Sequence, residues 1–332
     1  MVKKESFGFC PKGEVFAYTL ENANGMEVTI LTLGGIVQKL LVPTKDGKTD
    51  ACLGYADAEG YWNGREFFGA LIGRVGNRIA GSEFELNGKT YRIASGGAKN
   101  VCHSGPDAMD RKLWDAEAGE NSVRLTCVSA DGENGFPGTL RAAVTYTLTE
   151  DNALRIDYEA VSDADTLINM TNHSYFNLNG GGSMDDATLW VNADAYTAVD
   201  GELIPTGELA PVAGTGLDFR TPRTLAENAN GAALPRPGVY DNNFCLNGEG
   251  LRKVAEVHGG LLTMEVETTT PGVQLYSAPM KTPKQGKQVY EGRCFLCLEA
   301  QDYPDAIHHP SFPTTVYRAG EPYRQTTVYR FL

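Results

Sequence analysis

The chain contains five histidines, His103, His173, His258, His308 and His309, and imidazole is the side chain that most readily exchanges a proton near neutral pH. His173 has the most informative neighbours. Residues 168–178 read INMTNHSYFNL, and a strand's period of two puts Asn169, Thr171, His173, Tyr175 and Asn177 on one face and Ile168, Met170, Phe176 and Leu178 on the other. The second face is core. Five polar or amphipathic groups in a row are costly to bury unless each is hydrogen-bonded, so the first face is expected to line a wet cavity suited to a polyhydroxylated ligand.

The carboxylate that could pair with such an imidazole is Glu299. In FLCLEAQ, residues 295–301, Leu296, Leu298 and Ala300 form an apolar face and leave Cys297, Glu299 and Gln301 on the other. A mid-strand Glu is either a buried functional group or an edge charge that blocks aggregation. Gln274 and Tyr276 share a polar face opposite Val273 and Leu275 in the same way. Arg74, Asn77 and Arg78 are pocket residues or strand-end ion-pair formers, and Asp241 is a pocket residue or a plain turn residue. His103 lies in a Gly-rich loop as a ligand contact or a solvent-facing residue. His258 reads as a surface residue at a turn. His308 and His309 are adjacent, so in an extended chain they point apart, and no spacing typical of a zinc site occurs.

Composition narrows the partners. With 29 Lys plus Arg against 42 Asp plus Glu, the net charge of -13 repels phosphate backbones and anionic membranes, so neither nucleic acid nor membrane is an expected partner. A neutral sugar, selected by hydrogen bonds, remains open. The seven cysteines are odd in number and scattered, which is no disulfide framework. Cys294 and Cys297 form a CxxC within an apolar run and are expected to be buried thiols. The start, MVKKESFGFC, lacks an apolar signal core, and no apolar run is long enough to span a bilayer. A reducing, cytoplasmic setting is expected.

The elements that must position these residues read as strands. Alternation appears in residues 13–20 and 30–42, with a break at Gly34-Gly35. Residues 57–68 have room for only a short helical turn. Asn87-Gly88 between FEL and KTYRI signals a hairpin over residues 83–93. Residues 94–111 read as a long loop holding His103. VRLTCV, LRAAVTYTL and ALRIDYEAV form an antiparallel meander, which residues 168–178 are expected to continue. Residues 200–238, rich in Pro, Gly and Asn, read as irregular, and further short strands follow. No stretch sustains helical periodicity. The fold class is all-β, a single large antiparallel sandwich over residues 1–332.

Taken in order, GRVGNRI (73–79), His103 in its Asn-rich loop, TNHSYFNL (171–178), DFR (218–220), YDNNF (240–244), PGVQLY (271–276), LEAQ (298–301) and PDA (304–306) resemble the aldose 1-epimerase (galactose mutarotase) family. The resemblance implies a β-supersandwich and interconversion of the α and β anomers of aldohexoses, with no metal or organic cofactor. It makes Glu299 the general base, His173 the general acid, and Asn77, Arg78, His103, Asp241 and Gln274 sugar contacts, with Tyr175 beside the acid. Mutual attraction is expected to hold Glu299 ionised and His173 protonated. Three departures bear on sugar preference: Ser104-Gly105 where two glycines are usual, Asn242 where histidine is common, and His308 or His309 where asparagine is frequent. Competing readings are a glycosidase using Glu299 and Asp241, a hexose-6-phosphate epimerase, which would need an added basic cluster, and a non-catalytic sugar binder.

Overall fold

The computed structural model describes residues 2–64, 66–229, 234 and 236–332. Among the described residues, alternating apolar residues build three larger antiparallel sheets around a main core, with five two-stranded pairs beside them. The largest has nine strands: Asp115–Ala118, Ser122–Ser129, Leu140–Leu148 and Ala153–Ser162 in meander, then Tyr323–Phe331, Thr263–Thr268, Arg252–His258, Thr188–Val191 and Arg223–Thr224. Every second residue of its inner strands, including Leu125, Val144, Tyr146, Ile156, Tyr158 and Tyr329, is buried. That face packs with Val28, Ile30 and Leu40 of an N-terminal five-stranded meander and with Phe244, Val273, Leu275 and Leu298 of a second five-stranded sheet, in one contiguous cluster. Each such side chain contributes about 1.5–3 kcal/mol on burial. The shared core therefore fixes how the sheets face one another.

The second five-stranded sheet carries the polar rows. Its order is Pro205–Pro211, Ala193–Val199, Tyr240–Leu246, Gly272–Ser277, Cys297–Gln301. Pro205–Pro211 lies inside the segment expected to be irregular. It is an edge strand, where missing N–H donors are tolerated, so its prolines masked it in the sequence. Residues 230–233 and 235 of that segment lie outside the described residues.

Residues 168–178 do not continue the meander. The C-terminal strand Tyr323–Phe331 takes that place beside Ala153–Ser162. Only Thr171–His173 forms a strand, pairing with Ala70–Ile72, and all of residues 168–178 are buried on both sides. Asn169 is used structurally: its side chain donates to the Asp302 carbonyl at 3.1 Å and accepts from the Asp302 N–H at 2.9 Å. Asn177 donates to the carbonyls of Cys294 and Gly182 at 2.7 and 3.0 Å. Thr171, His173 and Tyr175 are left free of such ties.

Other expectations are met locally. Glu83–Leu86 pairs with Lys89–Arg92 across Asn87 (φ 53°) and Gly88 (φ 74°), the two positive φ angles that a tight hairpin requires. The short helix is Ala58–Asn63, capped by Asp57 accepting from the Gly60 N–H at 2.7 Å. The loop at 94–111 contains a two-residue strand, Val101–Cys102, paired with Arg78–Ile79.

Arg74 proves structural. Its guanidinium, 2% exposed, donates to Ser129 Oγ and to the carbonyls of Ser129, Ala130, Pro137 and Gly138 at 2.7–3.0 Å, pinning residues 73–79 to the rim of the large sheet. Burial lowers its pKa to about 10, which keeps it charged at neutral pH. Replacing Arg74 by Met strands these carbonyls, and the expected cost is at least ~3 kcal/mol in denaturant unfolding. A loss below ~1 kcal/mol would remove Arg74 from this role.

Candidate active site

Antiparallel register turns three separate alternations into one polar surface. Asp241 stands opposite Tyr276, which stands opposite Cys297; two residues along, Asn243 faces Gln274 and Gln274 faces Glu299. Because the period is two, all these side chains share a face, while Phe244, Val273, Leu275 and Leu298 enter the core behind it. The strand Thr171–His173 crosses in front and brings His173 over Glu299, with Nε2 3.6 Å from Oε2. Both are almost sealed, at 5% and 2% side-chain exposure.

Aromatic rings hold the imidazole. Tyr175 stacks on His173 at 4.9 Å and 14°, and Phe67 stacks at 5.8 Å and 20° on the same ring. Phe67 also meets His103 edge-on at 4.7 Å. His103 is fixed by its backbone as well: it has φ 52°, and Asn77 N–H donates to its Nδ1 at 3.2 Å while Asn77 O accepts from His103 N–H at 2.9 Å. With Nδ1 an acceptor, the neutral ring carries its hydrogen on Nε2. Asp241 completes the rim, accepting from Gln274 Nε2 at 2.7 Å and lying 3.8 Å from Arg78 Nη2.

Burial sets the charges. It raises the Glu299 carboxyl well above its ordinary value, with Asp241 adding to the rise and Arg78 opposing it. It lowers His173 to about 3 and pushes His103 well down too, the latter helped by His173 and Arg78. Burial thus works against the expected ion pair in the empty site. Removing two ions from water costs several kcal/mol each, more than a 3.6 Å contact returns when each ion has few other partners. Burial therefore favours the uncharged pair, with its one proton towards Glu299, over the ion pair.

His103, His173 and Glu299 bring three possible metal-ligand atoms within 4.8 Å of one another, a cluster that linear spacing did not reveal. The donor set fits a cation poorly. His103 offers an N–H rather than a lone pair from Nε2, because its Nδ1 already accepts from Asn77.

The site thus gathers His173, Glu299, Asn77, Arg78, His103, Tyr175, Asp241 and Gln274. His258 is exposed at a strand end and bonds Thr263 Oγ1 at 3.0 Å, away from these groups. His308 and His309 do not point apart: a short helical turn aims both at Asp305, with Nδ1 of His308 at 2.7 Å from Oδ1 and Nε2 of His309 at 3.7 Å from Oδ2. Ser104 is likewise occupied structurally: its Oγ accepts from Val75 N–H at 2.7 Å and donates to Val75 O at 2.9 Å. Asn242 lies off the polar row, alternating away from that face. Sequence reasoning missed Phe67 and Asn243. Phe67 carried only the signal of an aromatic-rich segment, and Asn243 carried that of position i+2 from Asp241.

The model of the aldose 1-epimerase family matches residues 17–330. Galactose mutarotase of Rattus norvegicus is 39% identical over 343 residues, covering 99% of this chain and 98% of that protein. Aldose 1-epimerase of Escherichia coli is 36% identical over 342 residues, with 99% of each covered. The crystal structure of galactose 1-epimerase from Lactobacillus acidophilus superimposes with a TM-score of 0.89 at 27% identity, covering 100% of this chain and 98% of that one. The fold, the matched family model and the full-length relatives agree, and this chain belongs to the aldose 1-epimerase family.

Proposed function

We propose that this chain, acting as a single domain, is an aldose 1-epimerase that interconverts the α and β anomers of free hexoses such as galactose and glucose. The observation that carries the reading is the facing of His173 Nε2 and Glu299 Oε2 at 3.6 Å at one end of a row of buried hydrogen-bonding groups. Glu299 takes the proton from the anomeric hydroxyl while His173 gives one to the ring oxygen. The C1–O5 bond breaks and the sugar opens to an aldehyde. Rotation about C1–C2 and reversal of both transfers close the ring with the other configuration. The cycle returns each proton to its origin, so the pair needs no reset.

The catalytic form, a carboxylate beside an imidazolium, holds the same single proton as the resting form. One transfer between Glu299 and His173 generates it. A bound sugar favours that transfer, because its hydroxyls supply the hydrogen bonds that the empty site denies to both charges. Asp241, Arg78, Gln274 and Asn77 hold the remaining hydroxyls, His103 donates from Nε2, and Tyr175 fixes the plane of His173.

Polarimetry of freshly dissolved α-D-galactose and α-D-glucose tests the reading. Accelerated decay to the uncatalysed end-point supports it, and no acceleration of either sugar by folded protein contradicts it. In the same assay, Glu299→Gln and His173→Asn are each expected to lose ~10²–10⁴-fold in kcat. Gln274→Ala removes a sugar contact and is expected to lower kcat/KM by ~10-fold or more. Because burial favours the one-proton pair against both gain and loss of a proton, kcat/KM is expected to stay level through ~6.5, the ordinary imidazole value. An inflection there would place an unperturbed histidine in the mechanism.

Stability gives an independent check. Glu299 holds in the folded state a proton that the unfolded chain releases above ~4.3, so folding weakens as pH rises from there towards the raised folded value. Glu299→Gln abolishes that loss. The variant is expected to melt close to the wild type near pH 4 and increasingly above it towards pH 8, and a parallel pair of melting curves across this range would refute the burial effect.

A further inference from the structure

The polar face continues along the strand beyond Glu299. Gln301, two residues along the same strand, is fully buried, and neither its amide oxygen nor its nitrogen has a hydrogen-bond partner. The same holds for both amide atoms of Asn243, at 1% exposure, and for the hydroxyl of Thr171, also at 1%. Oε2 of Glu299 and Nδ1 of His173 are equally unpartnered and buried.

Two glycines let these groups approach one another. Gly272 stands opposite Gln301 in the ladder, and a Cβ on it would lie 2.7 Å from Asn243 Oδ1, so the Asn243 amide occupies the side-chain position that Gly272 lacks. Gly76 closes the other side: a Cβ there would come within 3.5 Å of Gln301 Oε1 and 3.3 Å of the Thr171 methyl. Two primary amides and a hydroxyl thus lie together on the polar face that carries Glu299. Each buried polar atom left without a partner costs free energy, and buried groups able to donate and accept are satisfied by internal water.

We propose that Gln301, Asn243 and Thr171 enclose ordered water beside Glu299, and that Gln301 acts through it as a positioning residue, donating to one carboxylate oxygen when Glu299 is ionised. This rests on the assignment of Glu299 as the base. Such donation stabilises the carboxylate against its protonated form, so it enlarges the fraction of the pair in the catalytic arrangement. It also fixes the carboxylate plane, which leaves the other oxygen for the anomeric hydroxyl. The titratable and charged groups around Glu299 are His103 and His173 in front, Asp241 and Arg78 at the rim, and Cys102, Cys297, Tyr175, Tyr276 and Tyr329. The nearby thiols and phenols are held high by burial, Cys102 at about 11 and Tyr276 at about 12, so the alkaline limb of the reaction belongs to the pair.

The test uses the full chain carrying Gln301→Met or Thr171→Val, both of which conserve shape, and compares pH profiles of mutarotation with the wild type. Gln301→Met is expected to lower kcat by ~10-fold with KM changed less than ~3-fold, and to raise the alkaline limb of kcat/KM by about one pH unit. Thr171→Val is expected to shift the limb in the same direction by a smaller step, and it carries the test if Gln301→Met does not fold. An active wild type with limbs unmoved in the folded variants overturns the inference and leaves the base assignment standing. A wild-type chain without mutarotation overturns the functional reading itself.

Discussion

Desolvation of His173 and Glu299 is the constraint on which the rest of this site depends. The two groups face each other at 3.6 Å, nearly closed off from water, and each is most stable there without charge. The reaction asks for both charges. A small transfer of one proton separates the resting pair from the working one, and the hydrogen bonds that tip it come with the substrate. Selectivity and catalysis are then linked: a molecule that cannot offer hydroxyls to the polar row does not produce the working form.

Holding that pair requires elements from distant parts of the chain. Glu299 is placed by a strand at the end of the second sheet, backed by Tyr329 of the large sheet, whose hydroxyl donates to the Leu298 carbonyl at 2.9 Å. His173 comes from a three-residue strand that stays in place through Ala70–Ile72 and through aromatic contacts with Tyr175 and Phe67. His103 is set by Asn77, whose loop is anchored by Arg74 and by the Ser104 bonds to Val75. Asp305 adds a further clamp, accepting from Ala80 N–H at 3.0 Å and from His308. Little of this touches the reacting atoms. It determines where they are.

Strand alternation carried most of what was legible beforehand. The faces of residues 295–301 and of Gln274 with Tyr276 were read correctly because both strands are regular, and the order of motifs singled out His173 with Glu299. The reading of residues 168–178 succeeded at its centre and failed at its ends, since pairing stops at His173 and the outer asparagines are spent on backbone groups. His308 and His309 were judged as an extended pair, whereas a short helical turn around Asp305 draws them together. Proline hid an edge strand at Pro205–Pro211. The charge state was not legible for a different reason: attraction between two named residues can be guessed from a sequence, but the burial that opposes it is a property of everything packed around them.

The protonation of His173 in the sugar-free protein is therefore the decisive quantity, and nitrogen-15 NMR of the imidazole reads it directly. The burial described here predicts a neutral His173 throughout the range around neutral pH, with protonation only far on the acid side of ~6.5, and a shift towards imidazolium when galactose is added. An imidazolium already present at neutral pH without sugar would contradict it, and would mean that attraction to Glu299 outweighs the loss of water.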